Sequence, residues 1–206
     1  MANVTIDVGN GYYESDSLPF ANQRCVNLYP NYPQAPALSS TSLFEVQGIE
    51  EVLTTSRNAA DSNRGSWVFN AVPFFVNGGF LYRLDRSVGF GGAVSYKIVT
   101  LGEIEGTGAV SMSDNGRQLI IIDSEGNGHI YQPTANPQLQ SITDAGFQAN
   151  GIPKRVVFID SYFVVTTNQK KAIISAPNDG TDWNALDFIS AEADPDEIVA
   201  PFVFKN

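Results

Sequence analysis

The sequence predicts an all-β chain made of a repeated four-stranded unit, and three observations carry that expectation. Aromatic residues form 11% of the 206 residues and accompany 18 Gly and 11 Pro, a mixture suited to many short strands joined by tight turns. Short apolar runs are separated by Asn-Gly and related turns, which supply the positive φ angles that two-residue hairpins need. The same order of strands and turns occurs three times.

The first repeat, about 65–101, holds Ser66–Phe69, Pro73–Val76, the Asn77-Gly78-Gly79 turn, Phe80–Leu84, the loop Gly89–Gly92 and Ser95–Leu101. The second, about 108–142, holds Ala109–Met112, the Ser113–Gly116 turn, Gln118–Ile122, the Gly126–Gly128 turn, His129–Gln132 and Gln138–Ile142. The third, about 153–190, holds Arg155–Ile159, the Asp160-Ser161 turn, Tyr162–Thr166, the Asn168-Gln169 turn, Ala172–Ala176 and Ala185–Ser190. With Phe69, Met112 and Phe158 as equivalent positions, the period is about 43 to 46 residues, close to that of a four-stranded propeller blade. A lone meander cannot bury both faces, whereas blades stacked radially bury them against one another. The predicted architecture is therefore a β-propeller. Helix is scarce, and the best helical window, around Ala185 to Ala193, is short and uncapped.

Three blades fall short of the roughly four to eight that close a ring. Pro201–Asn206 reads as the first strand of a fourth blade, which leaves the ring incomplete. Such a chain is either the N-terminal part of a longer protein or is capped along its open β edge by another chain. Ahead of the blades, residues 1–42 interleave Pro19, Pro30, Pro33 and Pro36 with Tyr12, Tyr13, Phe20, Tyr29 and Tyr32 and show no sustained period. They predict an extended arm that docks through its aromatics, since disordered tails are poor in such residues. Residues 43–206 then form the partial propeller.

Twelve basic residues against 22 acidic ones give a formal charge of −10, the wrong sign for a surface that grips phosphates. The pairs Lys154-Arg155 and Lys170-Lys171 read as solvated strand ends. No apolar run approaches the length needed to cross a bilayer, so a soluble protein with no membrane partner is expected. Met1 to Gly11 lacks the pattern of a signal peptide. Cys25, the one cysteine, cannot form an internal disulfide, which fits a reducing cytoplasm.

Catalytic chemistry finds little support. The one histidine, His129, has no G-x-S-x-G or thiol partner in the sequence, and one His with one Cys excludes multi-histidine and thiolate-cluster metal sites. Asp160, Asp179, Asp182, Asp187, Asp194 and Asp196 could in principle supply a glycosidase pair, yet most occupy positions where turns favour Asx side chains. No enzyme activity and no cofactor are expected. Asp123, Glu125 and Asn127 space oxygen side chains as calcium loops do, but Thr134 stands where the bidentate carboxylate belongs, so a plain hairpin turn is favoured. Trp183, in a polar turn, could stack on a sugar ring, though an aromatic there more often anchors its own loop.

Two stretches carry a family likeness. Gly11-Tyr12-Tyr13-Glu14-Ser15 followed by Asn22-Gln23-Arg24-Cys25-Val26-Asn27-Leu28-Tyr29-Pro30 resembles the opening of the packaged-DNA stabilisation (tail accessory) proteins of short-tailed bacteriophages. Asp160–Val165, Ile174–Phe188 and Ser190–Val199 resemble a blade of the same family. Where family members carry Thr-Pro-Gly-Leu this chain has Val46-Gln47-Gly48-Ile49, so the turn into the first blade is expected to differ. The family's proteins are longer, in keeping with a truncated fourth blade. The resemblance implies a structural virion protein that joins the short tail after DNA packaging, in a homo-oligomeric ring between the portal-adaptor ring above and the tail tip or needle below. Genome DNA would lie nearby without specific binding. Assembly would occur in the host bacterial cytoplasm, with Tyr12, Tyr13, Arg24, Tyr29, Trp183, Phe202 and Phe204 as interaction candidates. A carbohydrate- or host-surface-binding propeller of the tail is the alternative.

Overall fold

The computed structural model describes residues 13–14, 22–23, 26–32, 34, 42–55, 62–191 and 198–204. The chain divides into two compact units, Met1–Glu51 and Val52–Asn206. In the first, β1 (Tyr13–Glu14) pairs antiparallel with β2 (Asn22–Gln23), and β3 (Leu28–Asn31) with β4 (Ser42–Glu45). Tyr29 lies opposite Phe44 in the second ladder and their rings stack 6.0 Å apart. This unit reaches Glu51, beyond the 1–42 segment delimited from sequence, because β4 pairs with β3.

The second unit contains three four-stranded antiparallel sheets, each a simple meander. Blade one holds β5 (Asn63–Phe69), β6 (Val72–Asn77), β7 (Phe80–Val88) and β8 (Val94–Glu103). Blade two holds β9 (Ser111–Asp114), β10 (Leu119–Ile122), β11 (Gly128–Tyr131) and β12 (Leu139–Ser141). Blade three holds β13 (Pro153–Ile159), β14 (Tyr162–Thr167), β15 (Lys171–Ala176) and β16 (Asp179–Ser190). The helical window near Ala185 thus lies, as far as Ser190, in a strand: Ala172, Ile173 and Lys171 of β15 take its backbone into a ladder, and pairing overrides a weak local preference. Pro201–Phe204 belongs to no strand among the described residues.

Blade two is clamped from both sides. All four residues of β10 are buried, and the alternation of a strand sends them to two different cores. Leu119 and Ile121 join Phe69, Phe74, Val76 and Leu81 of blade one. Ile120 and Ile122 join Val156, Phe163, Val165 and Ile173 of blade three. A continuous Leu-Ile-Ile-Ile run is therefore the signature of a sheet with no solvent face.

The repeat is real, but its register differs from the sequence alignment. Asn70-Ala71 and Asp160-Ser161, both pairs with positive φ, form the corresponding hairpin turns of blades one and three and are separated by two periods of about 45 residues. Phe69 therefore corresponds to Ile159, not to Phe158. Phe69 faces forward to blade two, whereas Met112 and Phe158 face back to the preceding blade. A slip of one residue exchanges the two faces of a strand, and apolar residues on both faces of these sheets hid the slip.

Truncating Ile121 or Ile120 to Ala empties one core or the other, and each substitution is expected to destabilise the second unit by about 2–5 kcal/mol in urea unfolding. A loss below about 1 kcal/mol at either position, less than ordinary core truncations cost, would show that blade two is not clamped on that side.

Candidate interaction surface

The forward face of blade three is made of the residues that build the core in blade one. By the hairpin register, Phe69, Val72, Phe74 and Val76 of blade one correspond to Ile159, Tyr162, Val164 and Thr166 of blade three. In blade one Phe69, Phe74 and Val76 are buried against blade two, with Val72 packed at their edge. In blade three Ile159 and Tyr162 are 38% and 39% exposed and Ile189, on the same face, is 61% exposed. Thr166 is buried and its Oγ1 has no hydrogen-bond partner. This face has the chemistry of an inter-blade surface, and among the described residues no further sheet packs on it. The backward face of blade one is less open. Val68 is exposed there, but Tyr82 is buried, its ring stacked 5.4 Å from Phe75.

The seams between blades show how such a surface is closed. At the first, Arg64 occupies a bulge between Asn63 and Gly65. Its guanidinium is buried and donates to four carbonyls: Nε to Gly108 at 2.7 Å, Nη1 to Gly78 and Ile104 at 3.0 and 2.8 Å, and Nη2 to Glu105 at 2.6 Å. Burial pulls its pKa down, while Asp123 and Glu125 act to raise it. Trp67 Nε1 donates to Asp114 Oδ2 at 2.6 Å, and Asn70 donates to the Gly116 carbonyl at 3.0 Å. At the second seam Gln118 accepts from the Gly180 amide at 2.8 Å and donates to Asp179 Oδ1 at 3.2 Å. Burial would raise the Asp179 pKa, but hydrogen bonds from the Thr181 amide, the Thr181 hydroxyl and Gln118 hold it below 3.8. The corresponding bulge of blade three, between Pro153 and Arg155, carries Lys154, which is exposed.

The residues singled out from sequence have different fates. Tyr12 and Arg24 lie outside the described residues, as do Asp194 and Asp196. Tyr13 pairs through its backbone with Gln23. Tyr29 is 52% exposed beside Phe44, and Phe202 and Phe204 are 81% and 78% exposed. Trp183 is no contact surface. It is 3% exposed, packs edge-on against Phe147 at 5.0 Å and donates from Nε1 to the Gly180 carbonyl at 2.8 Å, which leaves no ring face for a sugar.

Asp123, Glu125 and Asn127 lie in a turn in which the Asp123 carboxylate is already engaged. Asp123 Oδ1 accepts from the amides of Glu125 and Asn127, both at 2.9 Å, and Oδ2 from Asn127 Nδ2 at 2.9 Å. N–H groups aimed at a carboxylate occupy the lone pairs a cation would need. No group of three or more His, Cys, Asp and Glu side chains among the described residues is placed to hold a metal. His129 lies beside this turn, with Nε2 3.6 Å from Asp123 Oδ2 and no hydrogen-bond partner. Burial lowers its pKa below 6.5 despite the opposing pull of Asp123.

A family model described as Bacteriophage P22 Gp10, beta-propeller, matches residues 4–206. The chain belongs to that family. A search of curated proteins finds no match. Family membership makes this a structural phage protein with the β-propeller fold, and the three meanders clamped face to face are the blades of that fold. The match runs through the middle of the chain, where the sequence resemblance rested on strand pattern alone. No helix among the described residues is long and apolar enough to cross a membrane.

Two measurements check this surface. Light scattering on the purified chain should show association that weakens when Ile159 and Tyr162 are replaced by Asp and Lys, since like apolar faces exclude water together. A dilution-resistant monomer that binds no hydrophobic dye would show that the forward face of blade three is already covered. The buried imidazole has its own signature. Below pH 6.5 the unfolded chain takes up a proton that folded His129 refuses, so stability should fall as pH drops through that value and level off below the folded pKa. His129→Gln should flatten that segment of the stability–pH curve; a rise in stability on acidification would mean that Asp123 dominates the site.

Proposed function

We propose that this chain is a component of the short tail of a bacteriophage that joins the portal-tail assembly after DNA packaging and helps retain the genome. The observation that carries this reading is the family match over residues 4–206. The partly exposed forward face of blade three, with Ile159, Tyr162 and Ile189 open to solvent, supports an assembly role, because exposed apolar patches mark contact surfaces. The partners proposed are the portal-adaptor ring above, the tail tip or needle below, and further copies of the chain in a ring. The role is structural and non-enzymatic, and the location is the virion tail.

A formal charge of −10 suits a component beside packaged DNA. An acidic surface repels phosphate, so the genome is held back by a physical barrier without adhering to it and can leave on infection. The exposed aromatics Tyr29 and Phe44 of the first unit offer a docking surface that aromatic contacts strengthen.

Deleting Met1–Ser42 should leave the β circular-dichroism signal in place and reduce incorporation into virions. Normal incorporation of the deleted chain would rule out docking through this unit. The full chain should bind portal assemblies that carry their adaptor and not adaptor-free portal rings, measured by co-sedimentation; equal affinity for both would rule out late joining.

A further inference from the structure

The outer two strands of blade one run past the sheet to which they belong. β7 pairs with β6 only from Phe80 to Arg83, yet its ladder with β8 continues to Val88 and Val94. Every residue from Arg86 to Lys97 is exposed, so residues 86–97 form a two-stranded finger open to solvent on both faces. Its loop is closed by the Gly89 amide donating to the Ala93 carbonyl at 2.7 Å and the Gly92 amide to the Gly89 carbonyl at 3.1 Å. Gly91 and Gly92 supply the positive φ angles that this turn requires.

Polarity falls rung by rung toward the tip. Asp85 lies opposite Lys97, then Arg86 opposite Tyr96, Ser87 opposite Ser95, and Val88 opposite Val94. The two serine hydroxyls bond each other at 2.7 Å, and beyond them no side chain is polar: the tip reads Val88-Gly89-Phe90-Gly91-Gly92-Ala93-Val94, with Phe90 fully exposed. Charge follows the same course. Between Asp85 and Glu103 there is no acidic residue, only Arg86 and Lys97, in a chain whose formal charge is −10. The Arg86–Tyr96 rung stands two residues, about 7 Å, behind the Val88–Val94 rung.

We propose that this tip dips into the surface of a lipid bilayer, with Val88, Phe90 and Val94 entering the apolar layer while Arg86, Tyr96 and Lys97 stay among the headgroups. Three features favour a bilayer over a protein groove. The tip is apolar on both faces, Val88 and Val94 on one and Ala93 with the self-paired serines on the other, whereas a groove covers one face. Its loop makes hydrogen bonds within itself, as backbone in hydrocarbon must. The cations stand at the depth where anionic phosphates attract them, and the Tyr96 ring, apolar with a polar end, suits that boundary. An open two-stranded ribbon cannot cross a bilayer, so the contact is peripheral. The expectation of no membrane partner rested on spanning length, which a tip does not need. The binding is a property of the chain itself and stands or falls apart from the tail role.

The experiment floats the full chain with vesicles of equal parts phosphatidylethanolamine and phosphatidylglycerol at about 0.15 M salt, where repulsion from the acidic body is screened beyond about 8 Å. We expect saturable binding that falls about tenfold or more in Phe90→Ser, with circular dichroism confirming that the variant is folded. Phe202→Ser/Phe204→Ser, which removes two rings that are also exposed, should bind as the parent chain does. Depth is read separately. The chain has two tryptophans, Trp67 and Trp183, and Phe90→Trp should add fluorescence that lipids brominated on their acyl chains quench. Absence of flotation would overturn the proposal and leave the tip as a protein contact. An equal loss in the two serine variants would mark unspecific adhesion of exposed rings and overturn it too, as would binding without quenching at position 90, which would put the contact elsewhere.

Discussion

The second unit depends on blade two having no face for water. Leu119, Ile120, Ile121 and Ile122 are fully buried, and alternation along β10 divides them between the two inter-blade cores. Because one strand serves both cores, neither outer blade can settle independently of the middle one. Burial of apolar area is non-directional and would permit sliding. The polar contacts at the seams convert it into a fixed register. Gln118, Asn115 and Asp114 on one hairpin of blade two reach Gly180, Asn178 and Trp67 on the blades either side.

Arg64 plays the corresponding part at the other end of the first seam. A bulge turns its side chain out of the regular alternation and into a ring of carbonyls from the β6–β7 turn and the blade connection. Carbonyls near the end of a sheet have no ladder partner, and a buried guanidinium with five donors satisfies several at once. The same connection carries Glu105 to the wall of a cleft beside the seam. Burial lowers the His129 pKa there, against the opposing field of Asp123.

The forward face of blade three repeats the apolar chemistry of blade one without a sheet to receive it among the described residues. Ile159, Tyr162 and Val164 stand where Phe69, Val72 and Phe74 stand in blade one. Lys154 likewise stands in the bulge that holds Arg64 and is exposed. A repeat architecture stabilises each unit mainly through its neighbours, and blade two, packed on both faces, shows this most clearly. The family match makes this chain a structural phage protein.

Fold class, blade count and most strand positions were legible in the sequence because they follow from local signals. Turn dipeptides set the hairpins, and short apolar runs between them set the strands; β6, β7, β10 and β14 lie within a residue or two of expectation at most of their ends. Tertiary structure alone decided which face each residue takes. Ile, Val and Phe occur on both faces of these sheets, so pattern could not distinguish Phe158 from Ile159 as the partner of Phe69. It also decided the fate of the polar candidates. Trp183 in a polar turn and Asp123 in an Asx-rich loop look alike in sequence whether they face a ligand or their own backbone. The structure turns both inward, onto Gly180 and onto the Glu125 and Asn127 amides. Arg64, the Glu103–Glu105 stretch and His129 are far apart in sequence and carry no shared motif, so only the packing of blade one on blade two could bring them to one seam.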